Sequence, residues 1–248
     1  MVKQDKLINH QSLGAQVLIY QDFFYLTPVV LDFGLPRRGG VPILFPQFAD
    51  RGELTKHGFV RGIQWEIVSH DFNELSEHLS YELNIKPNSF SAWPYAANLR
   101  LDVIAEAKSI TFSLTIKNLG EKSFSWTGGL HPYLKIENLL NVKIEGLKGS
   151  KVGNKYKPDQ NHQLNHFLSF DGQPFESLFL SSSDLVIHEN HRTLHLSSTG
   201  FSEWMIWNPG QSGVKDFLDI PKNDWFKFIC VEPVIAHQPQ LIEGGGNL

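Results

Sequence analysis

Short alternations of apolar and polar residues, broken by turn residues, run along the whole chain. No segment of about twelve residues or more carries the apolar period of a surface helix. That pattern leaves few architectures open. Each strand has one face to bury, and many short strands do so as a sandwich or a barrel. The predicted strands are 16–20, 65–68, 79–85, 99–104, 110–116, 142–146, 184–188, 193–197, 203–207 and 226–232. Turn signals separate them at Lys86-Pro-Asn88, Asn118-Leu-Gly120, Asp171-Gly172 and Asn208-Pro-Gly210. No change of composition marks a linker, so residues 1–248 read as one all-β domain ending in a frayed glycine-rich tail at 243–248. Residues 147–168, polar and lysine-bearing, read as a surface excursion.

Composition narrows the function. A net charge of −4 gives no support to nucleic-acid binding. The single cysteine, Cys230, rules out an intrachain disulfide and allows a reducing compartment. There is no leader-like start and no run of membrane-spanning length, so a cytoplasmic protein without a membrane partner is expected, with a monomer favoured. Aromatic residues make up 12% of the chain, which suits broad apolar packing or surfaces on which sugars stack. His188, Glu189, His191 and His195 straddle a hairpin turn, which scatters them over two strands and argues against a metal site.

Four stretches carry possible chemistry. In Trp126-Thr-Gly-Gly-Leu-His131-Pro-Tyr, two glycines allow close backbone approach and Pro132 interrupts the ladder, leaving His131 at a strand end. In Phe226-Lys-Phe-Ile-Cys-Val-Glu232-Pro233, Phe228, Cys230 and Glu232 share one face of a central strand that Pro233 is expected to stop. A carboxylate buried there would have its pKa raised, as a general base requires; an exposed strand-end glutamate is the equal alternative. Arg37-Arg38-Gly39-Gly40 can turn guanidinium and backbone N–H groups toward an anion, though taken alone the stretch reads more readily as a surface arginine pair before a turn. His57 and Arg61, flanked by Gly58 and Gly62, suit an oxygen-rich ligand or an ordinary loop.

Taken in order, Arg38-Gly-Gly-Val-Pro-Ile-Leu-Phe-Pro46, His57-Gly-Phe-Val-Arg61, Leu130-His131-Pro-Tyr133, Trp207-Asn-Pro-Gly210 and Cys230-Val-Glu232-Pro233 resemble the aldose 1-epimerase (mutarotase) superfamily. The resemblance is nearest to its hexose-6-phosphate branch and spans about residues 10–240. It implies a galactose mutarotase-like β-supersandwich, with neither metal nor organic cofactor. It implies Glu232 as general base, His131 as general acid and His57 assisting the bound sugar. Arg38 and Arg61 fall where that branch lines the phosphate. Phe175-Glu176-Ser177 stands where the branch carries a Thr-Asp-Arg-like stretch, so Glu176 is the expected hydroxyl-binding group. The implied reaction is α/β anomer interconversion of a hexose 6-phosphate. A mutarotase of unphosphorylated aldoses and a non-catalytic sugar-binding sandwich stay open as alternatives.

Electrostatics and stacking add three expectations. His131 is expected to be held protonated by a nearby anion. Glu232 is expected to be desolvated among Phe228, Trp225 and Tyr133, and either Trp93 or Trp207 to stack on the sugar.

Overall fold

A computed structural model describes residues 7–10, 17–20, 23–29, 38–148, 150, 152–154 and 166–246. In chain order the strands are β1 (Leu7–His10), β2 (Val17–Tyr20), β3 (Ile43–Leu44), β4 (Glu66–Phe72), β5 (Ser76–Ile85), β6 (Ala97–Glu106), β7 (Ile110–Asn118), β8 (Phe124–Leu130) and β9 (Tyr133–Lys135). They continue with β10 (Lys143–Glu145), β11 (Val152–Asn154), β12 (Leu168–Ser169), β13 (Phe175–Phe179), β14 (Leu185–His188), β15 (Thr193–Leu196), β16 (Glu203–Asn208) and β17 (Phe228–Ile242). The one α-helix among the described residues is the single turn α1 (Gly210–Gly213). The fold is all-β.

The sheets are a hairpin β1-β2, a four-stranded sheet β4-β5-β6-β7, a second one ordered β12-β10-β14-β15, and a seven-stranded sheet. The last is ordered β11-β13-β16-β17-β8-β3, with β9 also paired to β17. Alternation along β6 turns Leu99, Leu101 and Val103 inward. They meet Trp126, Trp204, Ile206 and Val231 of the seven-stranded sheet in one apolar cluster. Ile144, Leu185 and Ile187 bring the third sheet onto the same core. Burying side chains of this size stabilises by about 1.5–3 kcal/mol each. The opposite face of the seven-stranded sheet is the one that carries Glu232.

Every predicted strand overlaps an observed one, residue 16 lying outside the described residues. The strands β1, β3, β9, β11, β12 and β13 were not predicted; none exceeds five residues, too few for an alternation to register, and β8, rich in glycine and aromatics, was read only as a strand end at His131. Within the expected excursion at 147–168, residues 149, 151 and 155–165 lie outside the described residues. Val152–Asn154 pairs with β13 and Leu168–Ser169 with β10. Of the expected frayed tail, residues 243–246 form a turn held to the preceding hairpin by Gly245 N–H to Gly120 O (3.0 Å) and Asn118 N–H to Gly246 O (2.8 Å). Residues 247 and 248 lie outside the described residues.

The expected stop at Pro233 does not occur, and β17 continues to Ile242. Val234 O accepts the Ser202 N–H from the β16 side. Its neighbour Pro233 therefore directs its own backbone toward β8, which ends at Leu130. The missing N–H falls where the ladder is already open, so no bond is lost. The interruption expected at His131 is present: β8 ends before it and β9 begins after Pro132.

Gly128 (φ 153°) and Gly129 (φ 152°) let three strands close around that break. A Cβ on Gly128 would lie 2.0 Å from Leu44 O, and one on Gly129 2.2 Å from Pro233 O. Gly129→Ala is therefore expected to destabilise the fold by about 2–5 kcal/mol, combining overpacking against rigid backbone with a φ that L-residues avoid. A urea melt measures this; a loss below about 1 kcal/mol would mean that the strands can part there at little cost.

Candidate active site

Cross-strand register builds the floor of the site. One row runs from Glu176 on β13 to Trp207 on β16, Cys230 on β17 and Tyr133 on β9, each opposite the next. A second row starts with Met205 opposite Glu232. The β17 register sets Cys230 against Tyr133 and Val234 against Gly129. Carried inward from both sides, it puts His131 opposite Glu232, across the break between β8 and β9. Residues two apart on a strand share a face. Both rows thus point into one cavity of about 280 Å³. All six residues singled out from the sequence line it: Arg38, His57, Arg61, His131, Glu176 and Glu232.

His131 Nε2 lies 3.3 Å from Glu232 Oε1. The two residues are buried, at 7% and 1% exposure. The second atom of each group, His131 Nδ1 and Glu232 Oε2, is buried without a hydrogen-bond partner. Orphaned buried polar atoms are uncommon in native interiors. Here two of them belong to one facing pair.

Burial pushes the Glu232 carboxyl well above the usual carboxylate range, and Glu176 adds to this while Lys56 and Arg61 oppose it. Burial also pushes His131 well below the ordinary imidazole value, helped by His57, Arg61 and Arg38. The first direction is the expected one. The second runs against the expectation of a protonated His131: the ring is desolvated, and three positive or potentially positive groups surround it. Both directions favour the uncharged pair, carboxyl against neutral imidazole.

The walls come from loops. His57 holds a left-handed backbone (φ 68°), a conformation costly for a residue with a side chain. Its N–H donates to Ala49 O (3.0 Å), and the Ala49 N–H donates to His57 Nδ1 (3.3 Å). With Nδ1 accepting, the ring proton sits on Nε2. The His57 and His131 rings meet edge to face with centroids 5.7 Å apart. Arg61 donates to Lys56 O (3.1 Å), and no carboxylate among the described residues pairs with it. Burial draws its guanidinium below the ordinary value, with Arg38 also repelling it.

Arg38 is heavily engaged. Its Nε donates to Asp219 Oδ2 (2.7 Å), one Nη to the Tyr133 hydroxyl (3.1 Å), and its plane sits 4.9 Å above the Phe217 ring. Tyr133 in turn stacks on His131, centroids 4.8 Å apart and 8° from parallel. The sequence reading missed Asp219 and Phe217, and gave Tyr133 no bond to Arg38. Their loop lacks any periodic or motif signal. The Gly39–Gly40 pair does not present backbone donors to an anion as expected. Gly40 N–H is bonded to Tyr25 O (2.8 Å), and a Cβ on Gly39 would meet that same oxygen at 2.3 Å. These glycines let two chain segments approach each other. Arg37 lies outside the described residues.

Of the aromatics considered for sugar stacking, Trp207 lines the cavity, whereas Trp93 is core, packed edge-on against Phe45 and Phe124. Trp225 packs on Phe226 and also, with Phe228 and Tyr133, belongs to the apolar cluster on the Glu232 side of the sheet; of these three only Tyr133 lines the cavity. The ligand atoms of His131, Cys230 and Glu232 fall within 4.8 Å of one another, the one metal-competent trio found among the described residues. Burial pushes the Cys230 thiol well up, which keeps it protonated and a poor ligand.

Fold and cleft define a class: a β-sandwich enzyme with a buried imidazole–carboxylate pair at the floor of a small-molecule hollow. The aldose 1-epimerase family model matches residues 14–246, and the chain belongs to that family of isomerases. A provisionally named glucose-6-phosphate 1-epimerase of Salmonella typhimurium is 28% identical over 213 residues, covering 84% of this chain and 70% of the relative. One of the same provisional name from Cenchrus ciliaris is 26% identical over 220 residues, covering 84% and 67%. The crystal structure of a provisionally assigned mutarotase, YeaD, from Salmonella typhimurium superposes with a TM-score of 0.82 at 23% identity, covering 99% of this chain and 88% of that one. The architecture is the galactose mutarotase-like β-supersandwich.

Proposed function

We propose that the chain interconverts the α and β anomers of a hexose 6-phosphate by acid–base ring opening. The reading rests on one observation: two facing titratable groups, 3.3 Å apart, buried at the floor of a cavity whose wall carries Arg38 and Arg61. In this reaction the O1 proton leaves while the ring oxygen O5 gains one. The open-chain carbonyl then turns, and the two transfers reverse. Glu232 is the base at O1 and His131 the acid at O5. Each proton transfer contributes about 10²–10⁴-fold. No covalent intermediate is needed, in keeping with the buried, protonated state of Cys230. His57, with its proton on Nε2, donates to a sugar oxygen, and Glu176 accepts from a hydroxyl. Arg61 and the free edge of Arg38 take the phosphate, as bidentate guanidinium sites do. The names borne by the curated relatives support this substrate class.

Anomer exchange followed by NMR tests the reading on glucose 6-phosphate, glucose and galactose. The phosphorylated sugar is expected to react with the highest kcat/KM. Removing a charged hydrogen-bonding partner costs about 1.5–3 kcal/mol. Arg61→Met is therefore expected to lower kcat/KM on glucose 6-phosphate by about 10–100-fold, and on glucose by at least tenfold less. Equal losses on both sugars would assign Arg61 to the fold rather than to phosphate. The ion pair between Arg38 and Asp219 favours one other reading, a mutarotase of free aldoses, in which Asp219 already balances the arginine. Wild-type activity on glucose equal to that on glucose 6-phosphate would establish it.

A further inference from the structure

Arg38, Lys56, His57, Arg61 and Glu176 line the same cavity as the catalytic pair. Arg38, Arg61 and His57 oppose charge on His131, and Glu176 opposes charge on Glu232 while Lys56 and Arg61 favour it. Tyr133 and Cys230, the remaining titratable neighbours, are both buried, and burial pushes each toward its neutral form. Arg38 opposes charge on the imidazole. It is also physically joined to the imidazole, through its bond to the Tyr133 hydroxyl and the stacking of Tyr133 on His131.

We propose that the substrate's phosphate, seated against Arg38 and Arg61, moves the proton held by Glu232 onto His131, so that a remote anion arms the base and the acid together. This rests on the hexose 6-phosphate reading above. The step is a proton transfer across the 3.3 Å contact, from carboxyl and imidazole to carboxylate and imidazolium. Proton count and electrons are unchanged. The arginines disfavour the imidazolium. A bound dianion cancels that repulsion chiefly at His131, because Arg38 is held against Tyr133 and Tyr133 is stacked on the ring, while Lys56 remains to favour the Glu232 carboxylate. The phosphate is then a switch as well as a handle, and its effect belongs in kcat as well as in KM.

The decisive probe separates the anion from the sugar. D-xylose is the pyranose of glucose without the phosphate-bearing carbon. Exchange of its anomers is measured at saturating xylose with and without phosphite dianion. Saturable activation of tenfold or more is expected, and in Arg38→Met the activation ratio should fall toward one. In parallel, ¹⁵N-histidine spectra at neutral pH, with His131 assigned by its loss in His131→Gln, should move from neutral imidazole toward imidazolium when inorganic phosphate is added. Should xylose turn over too slowly to follow, the spectra decide. If glucose 6-phosphate is preferred over glucose, yet phosphite leaves xylose exchange and the His131 signals unmoved, the phosphate is only a handle and the switch is overturned while the substrate assignment stands. If glucose 6-phosphate is not preferred at all, both fall.

Discussion

Glu232→Gln is expected to slow anomer exchange by about 10²–10⁴-fold while leaving sugar binding within a few-fold of wild type. The amide keeps the shape of the carboxyl but cannot accept the O1 proton. The residual reaction then rests on His131 acting as an acid. Its rate should fall as pH rises, with a midpoint below the ordinary imidazole value, because burial and the cations around His131 lower that pKa. The same substitution should alter stability in a pH-dependent way. Glu232 carries a folded pKa raised by burial, so the folded state binds more protons than the unfolded one between the two pKa values. Stability contributed by the protonated carboxyl is complete below the unfolded pKa and is lost as pH rises through the folded one. Glu232→Gln should therefore gain on the wild type as pH increases, which thermal melts across pH will show. A variant that binds sugar and still exchanges anomers at the wild-type rate would remove Glu232 from the chemistry.

The strands could be read from the sequence because each needs only its own alternation. Ala97–Glu106 and Ser76–Ile85 bury every second residue over most of their length, and the eye finds that period without knowing the partner strand. Pairing is different. That His131 faces Glu232 depends on the register between β17 and the interrupted β8–β9 segment, which no local pattern states. Only the resemblance joined them beforehand. The face of Glu232 was legible, but the choice between the tryptophans was not: Trp207 reaches that face by sitting opposite Cys230, again a matter of pairing, whereas Trp93 lies outside the strands. Pro233 misled because a proline ends a ladder only where its N–H has a partner to lose. The protonation of His131 was misjudged for a similar reason. Its neighbours Arg38, His57 and Arg61 arrive from loops distant in the chain, and Asp219, which holds Arg38, sits in a segment without periodicity.

His131→Gln is expected to match the loss in Glu232→Gln, about 10²–10⁴-fold, with the opposite pH dependence. Here the carboxyl remains and the acid at O5 is gone. Exchange should rise with pH as Glu232 ionises, with its midpoint above the usual carboxylate range, since burial and Glu176 raise that group. The wild type combines both limits. Its active form carries one proton on the pair, so kcat/KM follows a bell. A second proton taken up by the pair ends activity on the acid side, and loss of the last proton ends it on the alkaline side. At 3.3 Å the two groups titrate as a unit, and the limbs belong to the pair rather than to either residue. Comparing each variant with the wild type on one substrate cancels the titration of the sugar phosphate itself. Two variants that each convert the bell into a single slope, one falling and one rising, would tie the base and the acid to these two positions. Two slopes of the same sign would mean that His131 and Glu232 do not exchange roles across one proton, and the ring-opening assignment of both would have to be withdrawn.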